Sequence, residues 1–284
     1  MTRPRRARKG PITQVITRHI TKPPLSSKAA QATISAYHVL LKKRDRLLVR
    51  RRSQGGSRSS PELKQVEAEI EALGGLDAYQ QASIMGQSTV RGGDSSRVLI
   101  PWLKERPSSM LEIGALLPDN MAECSSWIDN HPIDLQSQHP LILQQDFFHR
   151  PVPVKGSDEW FDIISCSLVL NFVTSPIQRG RMLQLCHRHL RPDPSSLLFL
   201  VLPLPCLFNS RYTTVSSLRS LMKTIGFELA AERWKPGGKV GYWLWAWRQV
   251  ETNVGTSQWT RKSSVQRDTG RRNNFAILLP PDEK

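Results

Sequence analysis

The run Met110-Leu111-Glu112-Ile113-Gly114-Ala115, followed twenty residues past its glycine by Ile133-Asp134-Leu135, constrains this chain more than any other feature. An apolar strand ending in acid-x-Gly, then a second short strand ending in an acid, puts a close-approach turn and a carboxylate at one edge of a parallel sheet. Glycine is required at the turn because any Cβ would collide with a ligand drawn against the backbone there. The carboxylate accepts hydrogen bonds from paired ribose hydroxyls. On these residues alone, a nicotinamide dinucleotide fits as well as any other nucleoside cofactor.

The rest of the chain predicts the sheet that such a motif needs. Apolar segments at Met110 to Leu116, Ile133 to Leu135, Leu141 to Asp146, Phe161 to Leu168, Leu197 to Leu204 and Lys239 to Trp247 read as strands. Helical periodicity at Ile177 to Leu190 and Thr213 to Ile225 separates the later ones. Such alternation specifies an α/β fold, a Rossmann-like, mostly parallel sheet covered on both faces. The aromatic last strand follows the turn Lys235-Pro236-Gly237-Gly238-Lys239 and fits an antiparallel closing hairpin.

Upstream lies a helical extension. From Ser27 to about Arg52, Ile34, Tyr37, Leu40, Leu41, Leu47 and Leu48 recur at helical spacing among Lys42, Lys43, Arg44 and Arg46. Gln54 to Ser60 reads as a Gly/Ser-rich loop, and Ser60-Pro61-Glu62 then supplies an N-cap, a first-turn proline and a first-turn acid. The apolar stripe Leu63, Val66, Ile70 and Leu73 ends at Gly74-Gly75, so the two helices are expected as an antiparallel hairpin. Further helical turns are expected from Asp77 to Met85 and Ser96 to Lys104. The resulting division is a basic arm over 1–26, a helical extension over 27–108, the α/β domain over 109–248 and a polar tail over 249–284, broken only by the apolar Phe275 to Leu279.

Charge is concentrated at one end. The chain carries +16, yet residues 1–58 alone hold 16 Lys and Arg against one acid, Asp45, while residues 59–247 hold 17 against 19. A basic arm on a nearly neutral body attracts a polyanion through counterion release, most plausibly RNA. A solvated tail or a nuclear import signal accounts for Arg3-Pro4-Arg5-Arg6-Ala7-Arg8-Lys9 equally well. No segment approaches the ~18 continuous apolar residues of a membrane span, and no apolar stretch follows the basic start, so neither a membrane partner nor a secretory signal is expected. The four cysteines, Cys124, Cys166, Cys186 and Cys206, include no Cys-x-x-Cys pair, which speaks for buried reduced thiols and against a metal.

Together these strings resemble the class I S-adenosyl-L-methionine-dependent methyltransferases. Glu112-x-Gly114 matches their first motif, Asp134 the ribose-binding acid, Gln145-Asp146-Phe147 the acid near the adenine, and Phe161-Asp162-Ile163-Ile164 the fourth strand. More narrowly, Leu111 to Leu116, Asp119-Asn120, Ile133 to Leu135, Gln145 to Phe147, Phe161 to Ser165, Ser167 to Val173, Arg179 to Leu183, Leu202 to Cys206 and Asn209 to Tyr212 look like the fungal 25S ribosomal RNA adenine-N1 methyltransferase family. The likeness covers roughly residues 75–248.

The resemblance implies a nuclear, nucleolar enzyme that uses S-adenosyl-L-methionine to methylate N1 of one adenine in large-subunit ribosomal RNA. Gly114 and Asp134 carry over as cofactor-binding residues, with Glu112, Asp146 and Ser165 as candidates beside them. Asp146 fits an adenine contact or a simple strand cap equally. This chain departs from the class pattern at Leu116 and Pro118, where further glycines are usual, and Asp119-Asn120 is expected to cap the helix that follows. Catalytic residues are unassigned, with Asn171, Asn209 and Tyr212 as candidates and Phe172 either stacking platform or core. Animal relatives look like cofactor sensors, so a non-catalytic binding protein is an alternative, as is an RNA-binding assembly factor.

Two further patterns favour structural readings. His187-x-His189 lies beside Arg188 and Arg191 on a helix and is expected to face solvent rather than a metal. Trp243, Trp245 and Trp247 share one strand face and are expected in the core.

Overall fold

The computed structural model describes residues 27–53, 60–87, 95–154, 156–250, 257–264 and 272–280. The basic arm over 1–26 and most of the loop before Ser60 lie outside the described residues. Three helices come first: α1 (Ser27–Ser53), α2 (Pro61–Ala72) and α3 (Gly75–Gln87). The Ser60 side chain caps α2 by accepting from the Leu63 amide at 3.2 Å, with Pro61 at the first turn. Gly74 ends it at φ +92°, where a side chain would be strained and a Cβ would come within 2.7 Å of Ala78. Lys43 of α1 reaches Glu69 of α2 at 3.7 Å, each more than two helical turns from the connecting loop, the pairing of an antiparallel hairpin. Tyr79 of α3 stacks on Tyr37 of α1 with ring centroids 5.2 Å apart.

After the short helix α4 (Ser96–Leu99) the chain builds a seven-stranded sheet from β1 (Ser108–Ile113), β2 (Ile128–Asp134), β3 (Leu143–Gln144), β4 (Ile163–Ser167), β5 (Leu197–Pro203), β6 (Phe227–Arg233) and β7 (Val240–Trp247). Their order is β3-β2-β1-β4-β5-β7-β6. All pairs from β3 to β5 are parallel, and β7 runs antiparallel between β5 and β6. The order reverses between β1 and β4, so the crevice for a ligand opens beyond the carboxyl ends of those two strands.

Side-chain alternation sorts the sheet into two faces. Leu111, Ile164, Leu200 and Trp245 point to one, packed by α5 (Pro176–His189) and α7 (Val215–Ile225). Met110, Ile163, Phe199 and Leu244 point to the other, covered by Leu99, Met121 and Cys124. Thr214 and Ser217 cap α7 reciprocally, and Gly226, left-handed at φ +103°, ends it. Trp243 and Trp245 are fully buried, as the aromatic strand predicts.

Two expectations fail, and one strand carries no pattern that would mark it. β6, the second arm of the closing hairpin, carries Glu228, Glu232 and Arg233 on its open edge, and a bulge between Leu229 and Ala231 interrupts its alternation. Charged edges discourage pairing with other chains, and that same polarity hid the strand. The segment 272–280 is not a loose tail, because Phe275, Ala276, Ile277 and Leu279 are buried against the α5 face. His187 and His189 do not face solvent: His187 stacks on Trp247 at 5.1 Å, and His189 is fully buried with its ring nitrogens 2.8 and 3.1 Å from the carbonyls of Leu185 and Pro151. The adjacent Arg188 and Arg191 suggest a polar face, but Trp247, the Arg248 carbonyl and the Pro151 carbonyl pack on the last turn of α5.

Candidate active site

The turn after β1 forms the floor of the crevice. Gly114 has φ +75°, and a Cβ there would lie 2.4 Å from Cγ2 of Val169, so both the backbone conformation and the available space require glycine. The amides of Gly114 and Ala115 donate to the Ile133 carbonyl at 2.8 and 3.1 Å, which ties the turn to the end of β2. Glu112 is buried, accepting from the side-chain amides of Asn120 at 2.7 Å and Asn130 at 2.9 Å. Its carboxylate thus holds the post-β1 loop in place of the missing glycines. No α-helix follows: Asp119-Asn120 leads through turns into a 3-10 turn at Ala122–Cys124, because Pro118 and the tether of Asn120 leave the short β1–β2 connection no room for one.

Asp134 ends β2 at the crevice. Its Oδ1 accepts from the Gln136 amide at 2.9 Å and from Nε2 of Gln80 at 3.1 Å. Burial raises its pKa, opposed by the Gln136 and Leu135 amides and the Gln80 side chain. Gln80 also donates to the Gln136 carbonyl at 2.8 Å, and its own Oε1 is buried with no partner among the described residues. That amide comes from α3, so the helical extension completes the site. Nothing in the sequence around Gln80 marks it, since a glutamine on a helix is ordinarily solvated.

A second cluster caps β4. Leu168 takes φ 57°, an uncommon left-handed conformation for a branched residue, and the turn it begins carries Val169, Asn171 and Phe172. Asn171 is 8% exposed, and its Oδ1 has no hydrogen-bond partner among the described residues. Phe172 is half-buried, its ring 3.7 Å from that of His38 on α1 and 4.8 Å from that of Tyr79 on α3. Burial pushes the His38 pKa down to about 4, with Lys42 adding to the effect, so the ring is neutral at physiological pH. Burial also raises the Tyr79 pKa, keeping the phenol protonated.

The expected residues divide accordingly. Gly114, Asp134 and Asn171 converge with Phe172 on the crevice between β1 and β4. Ser165 does not reach it: it sits inside β4 between Glu112 and Phe199, 3% exposed, and the polar group at the strand end is Ser167, hydrogen-bonded to Ser95 at 2.8 Å. Asp146 caps the 3-10 turn Phe147–His149, accepting from the Phe148 amide at 2.9 Å with His149 at 3.1 Å, which is the strand-cap arrangement. Asn209 and Tyr212 lie on the next loop, after β5 and the short helix α6 (Pro205–Phe208). Their contacts are with the C-terminal segment: the Asn209 carbonyl accepts from Asn273 at 2.8 Å, and Nζ of Lys262 stands 5.5 Å from the Tyr212 ring centroid. A surface concavity of about 470 Å3 at the opposite edge of the sheet, bordered by Pro107, Ser126 and Asp129, has no part in this site.

A left-handed glycine turn at one strand end and a carboxylate held by Gln80 at the next suit a nucleoside cofactor, and S-adenosyl-L-methionine is such a molecule. Sheet order and site together define a class I methyltransferase. A family model described as 25S rRNA (adenine(2142)-N(1))-methyltransferase, Bmt2, matches residues 64–277, and the chain belongs to that family. It is 38% identical over 258 residues to the 25S rRNA adenine-N(1) methyltransferase of Schizosaccharomyces pombe, covering 86% of this chain and 89% of that one. Against the 25S rRNA (adenine(2142)-N(1))-methyltransferase of Saccharomyces cerevisiae it is 37% identical over 218 residues, 74% of this chain and 62% of that one. Among solved structures it is similar to the 1,6-didemethyltoxoflavin-N1-methyltransferase of Burkholderia thailandensis, at 15% identity and a TM-score of 0.47, covering 69% of this chain and 93% of that one.

Proposed function

We propose that this chain transfers a methyl group from S-adenosyl-L-methionine to N1 of an adenine in large-subunit ribosomal RNA, acting in the nucleolus. The observation that carries the reading is the buried Oδ1 of Asn171, without a partner among the described residues, in the turn after β4 that packs on Gly114 through Val169. A buried acceptor without a donor costs free energy, so its retention at this place speaks for a ligand that supplies one. The exocyclic amino group of adenine, adjacent to N1, is a donor of the right kind.

When bound, S-adenosyl-L-methionine supplies an electrophilic methyl group on a sulfonium. Asp134 and Gln80 would hold its ribose, and the turn at Gly114 would admit its backbone-side edge. Adenine N1 has a free lone pair, so no residue need act as a base. The protein's task is orientation and exclusion of water. Reaching N1 requires the adenine to leave its stack, and Phe172 with the neutral His38 and Tyr79 offers aromatic surface to receive it. N1-methylation leaves the base cationic and its amino group a stronger donor, which strengthens the bond to Asn171 as the reaction proceeds.

Purified full-length protein incubated with methyl-labelled S-adenosyl-L-methionine and unmodified 25S ribosomal RNA tests this reading. Digestion should yield labelled 1-methyladenosine. Cofactor binding without transfer would instead make the chain a sensor, and absence of cofactor binding would leave only an RNA-binding assembly factor.

A further inference from the structure

Two groups of cations from opposite ends of the sequence flank the catalytic crevice. The first is on α1, whose position is set by the His38–Phe172 ring contact and by Thr174 Oγ1, which donates to Oδ2 of Asp45 at 2.5 Å. Lys42 lies between these two anchors and Arg46 just beyond them, both exposed. Asp45 is the only acid in α1, and its carboxylate is turned toward Thr174. Lys43, on the other side of the helix, is matched by Glu69. Lys42 makes no ion pair among the described residues.

The second group surrounds the β5–α7 loop. Lys262 approaches the Tyr212 ring, Nη1 of Arg211 donates to Asn274 Oδ1 at 2.8 Å, and Nη1 of Arg272 donates to the Phe208 carbonyl at 3.4 Å. Helix α6 is tied to the second group, its Pro205 carbonyl accepting from Nδ2 of Asn273 at 2.6 Å. Among the described residues, no ion pair engages Lys42, Arg46, Arg211 or Lys262. Gathering like charges around one opening costs stability in the free protein, and a polyanion repays that cost on binding. Residues 59–247 are otherwise nearly charge-balanced, with 17 Lys and Arg against 19 acids.

We propose that Lys42 and Arg46 on one side, and Arg211, Lys262 and Arg272 on the other, form two rims that grip the RNA phosphate backbone on either side of the target nucleotide. The proposal rests on the reading of the chain as an RNA methyltransferase. The half-buried rings of Phe172, beside α1, and of Tyr212, beside Lys262, fit this assignment, since single-stranded RNA is held by a basic track with aromatic stacking surfaces. The arm over 1–26 is then an additional tether rather than the whole of the RNA-binding charge.

The test is the salt dependence of binding to unmodified 25S ribosomal RNA by full-length protein, wild type against the double substitutions Lys42→Gln/Arg46→Gln and Arg211→Gln/Lys262→Gln. Each pair should weaken binding about tenfold near physiological salt and reduce the slope of log K on log salt by about 1.4, from roughly 0.7 per phosphate contact on single strands. S-adenosyl-L-methionine affinity, read by calorimetry, should not change. Unchanged slopes in both variants, with loss only on deleting 1–26, would overturn the proposal while leaving the function intact. Altered cofactor affinity at unchanged slope would also overturn it, by showing that these cations support the fold. Wild-type protein that binds no RNA would sink the functional reading itself.

Discussion

Arg179 donates through Nη1 to the carbonyl of Ala276 at 2.6 Å, bridging the first turn of α5 and the C-terminal segment. Arg179 is 3% exposed, makes no ion pair among the described residues, and gives its other donors to the carbonyls of Val173 at 2.7 Å and Thr174 at 3.3 Å. The ring of Phe275 lies 4.3 Å from its centre. One buried cation therefore fixes both the turn that carries Asn171 and the segment that braces Asn209. Replacing Arg179 with methionine leaves three carbonyls without their donor and should cost about 3 kcal/mol in urea unfolding, with Arg179→Lys intermediate. A loss below about 1 kcal/mol would mean that the segment is anchored elsewhere.

Gly180 supplies an independent check of the same packing. A Cβ there would lie 1.9 Å from the Leu278 carbonyl. Gly180→Ala should leave α5 helical and expel the C-terminal segment, seen as rapid proteolysis beyond residue 264. Wild-type resistance in that variant would contradict the packing.

Gly114→Ala combines a left-handed backbone with the Val169 clash, and the backbone alone costs about 1–2 kcal/mol. Cofactor affinity should fall at least about tenfold by calorimetry. Adding Val169→Ala removes the clash but not the backbone strain, so recovery should be partial; full recovery would assign the whole effect to space.

Asn171→Ala should lower kcat on ribosomal RNA by roughly 30- to 150-fold, the loss of one acceptor worth about 2–3 kcal/mol in the transition state. Cofactor affinity should stay within about twofold. If KM for RNA rises and kcat holds, Asn171 binds the base without favouring the transition state.

Acid should loosen α1 before the sheet. The folded-state pKa of His38 is about 4, and those of His187 and His189 are lowered by burial. Below the unfolded value near 6.5 the unfolded chain binds more protons, so stability is full above that pH and declines as pH falls toward 4. His38 alone accounts for up to about 3 kcal/mol. Hydrogen exchange in α1 should quicken between pH 6.5 and 4, and His38→Phe should flatten that response.

Legibility followed where each residue's constraint came from. Gly114 and Asp134 were readable because backbone conformation and strand ends impose local sequence rules. Ser165 was misplaced by two residues because an apolar run marks a strand without marking where it stops. Gln80, Tyr79 and His38 were invisible as site residues, since their role arises only when α1 and α3 fold across the sheet edge. The C-terminal segment was underestimated for a related reason: five apolar residues without periodicity become core only through Arg179 and the absence of a side chain at Gly180. His189 looked solvated beside Arg188, and only the carbonyls of Leu185 and Pro151 show why an imidazole belongs inside.

The bond between Gln80 and Asp134 also bears on how this enzyme can be divided. Because α3 supplies Gln80 to Asp134 and α1 sets His38 against Phe172, the boundary near residue 108 passes through the candidate site rather than beside it. A fragment beginning at β1 would keep its sheet and lose the contacts that Gln80, Tyr79 and His38 make with Asp134 and Phe172.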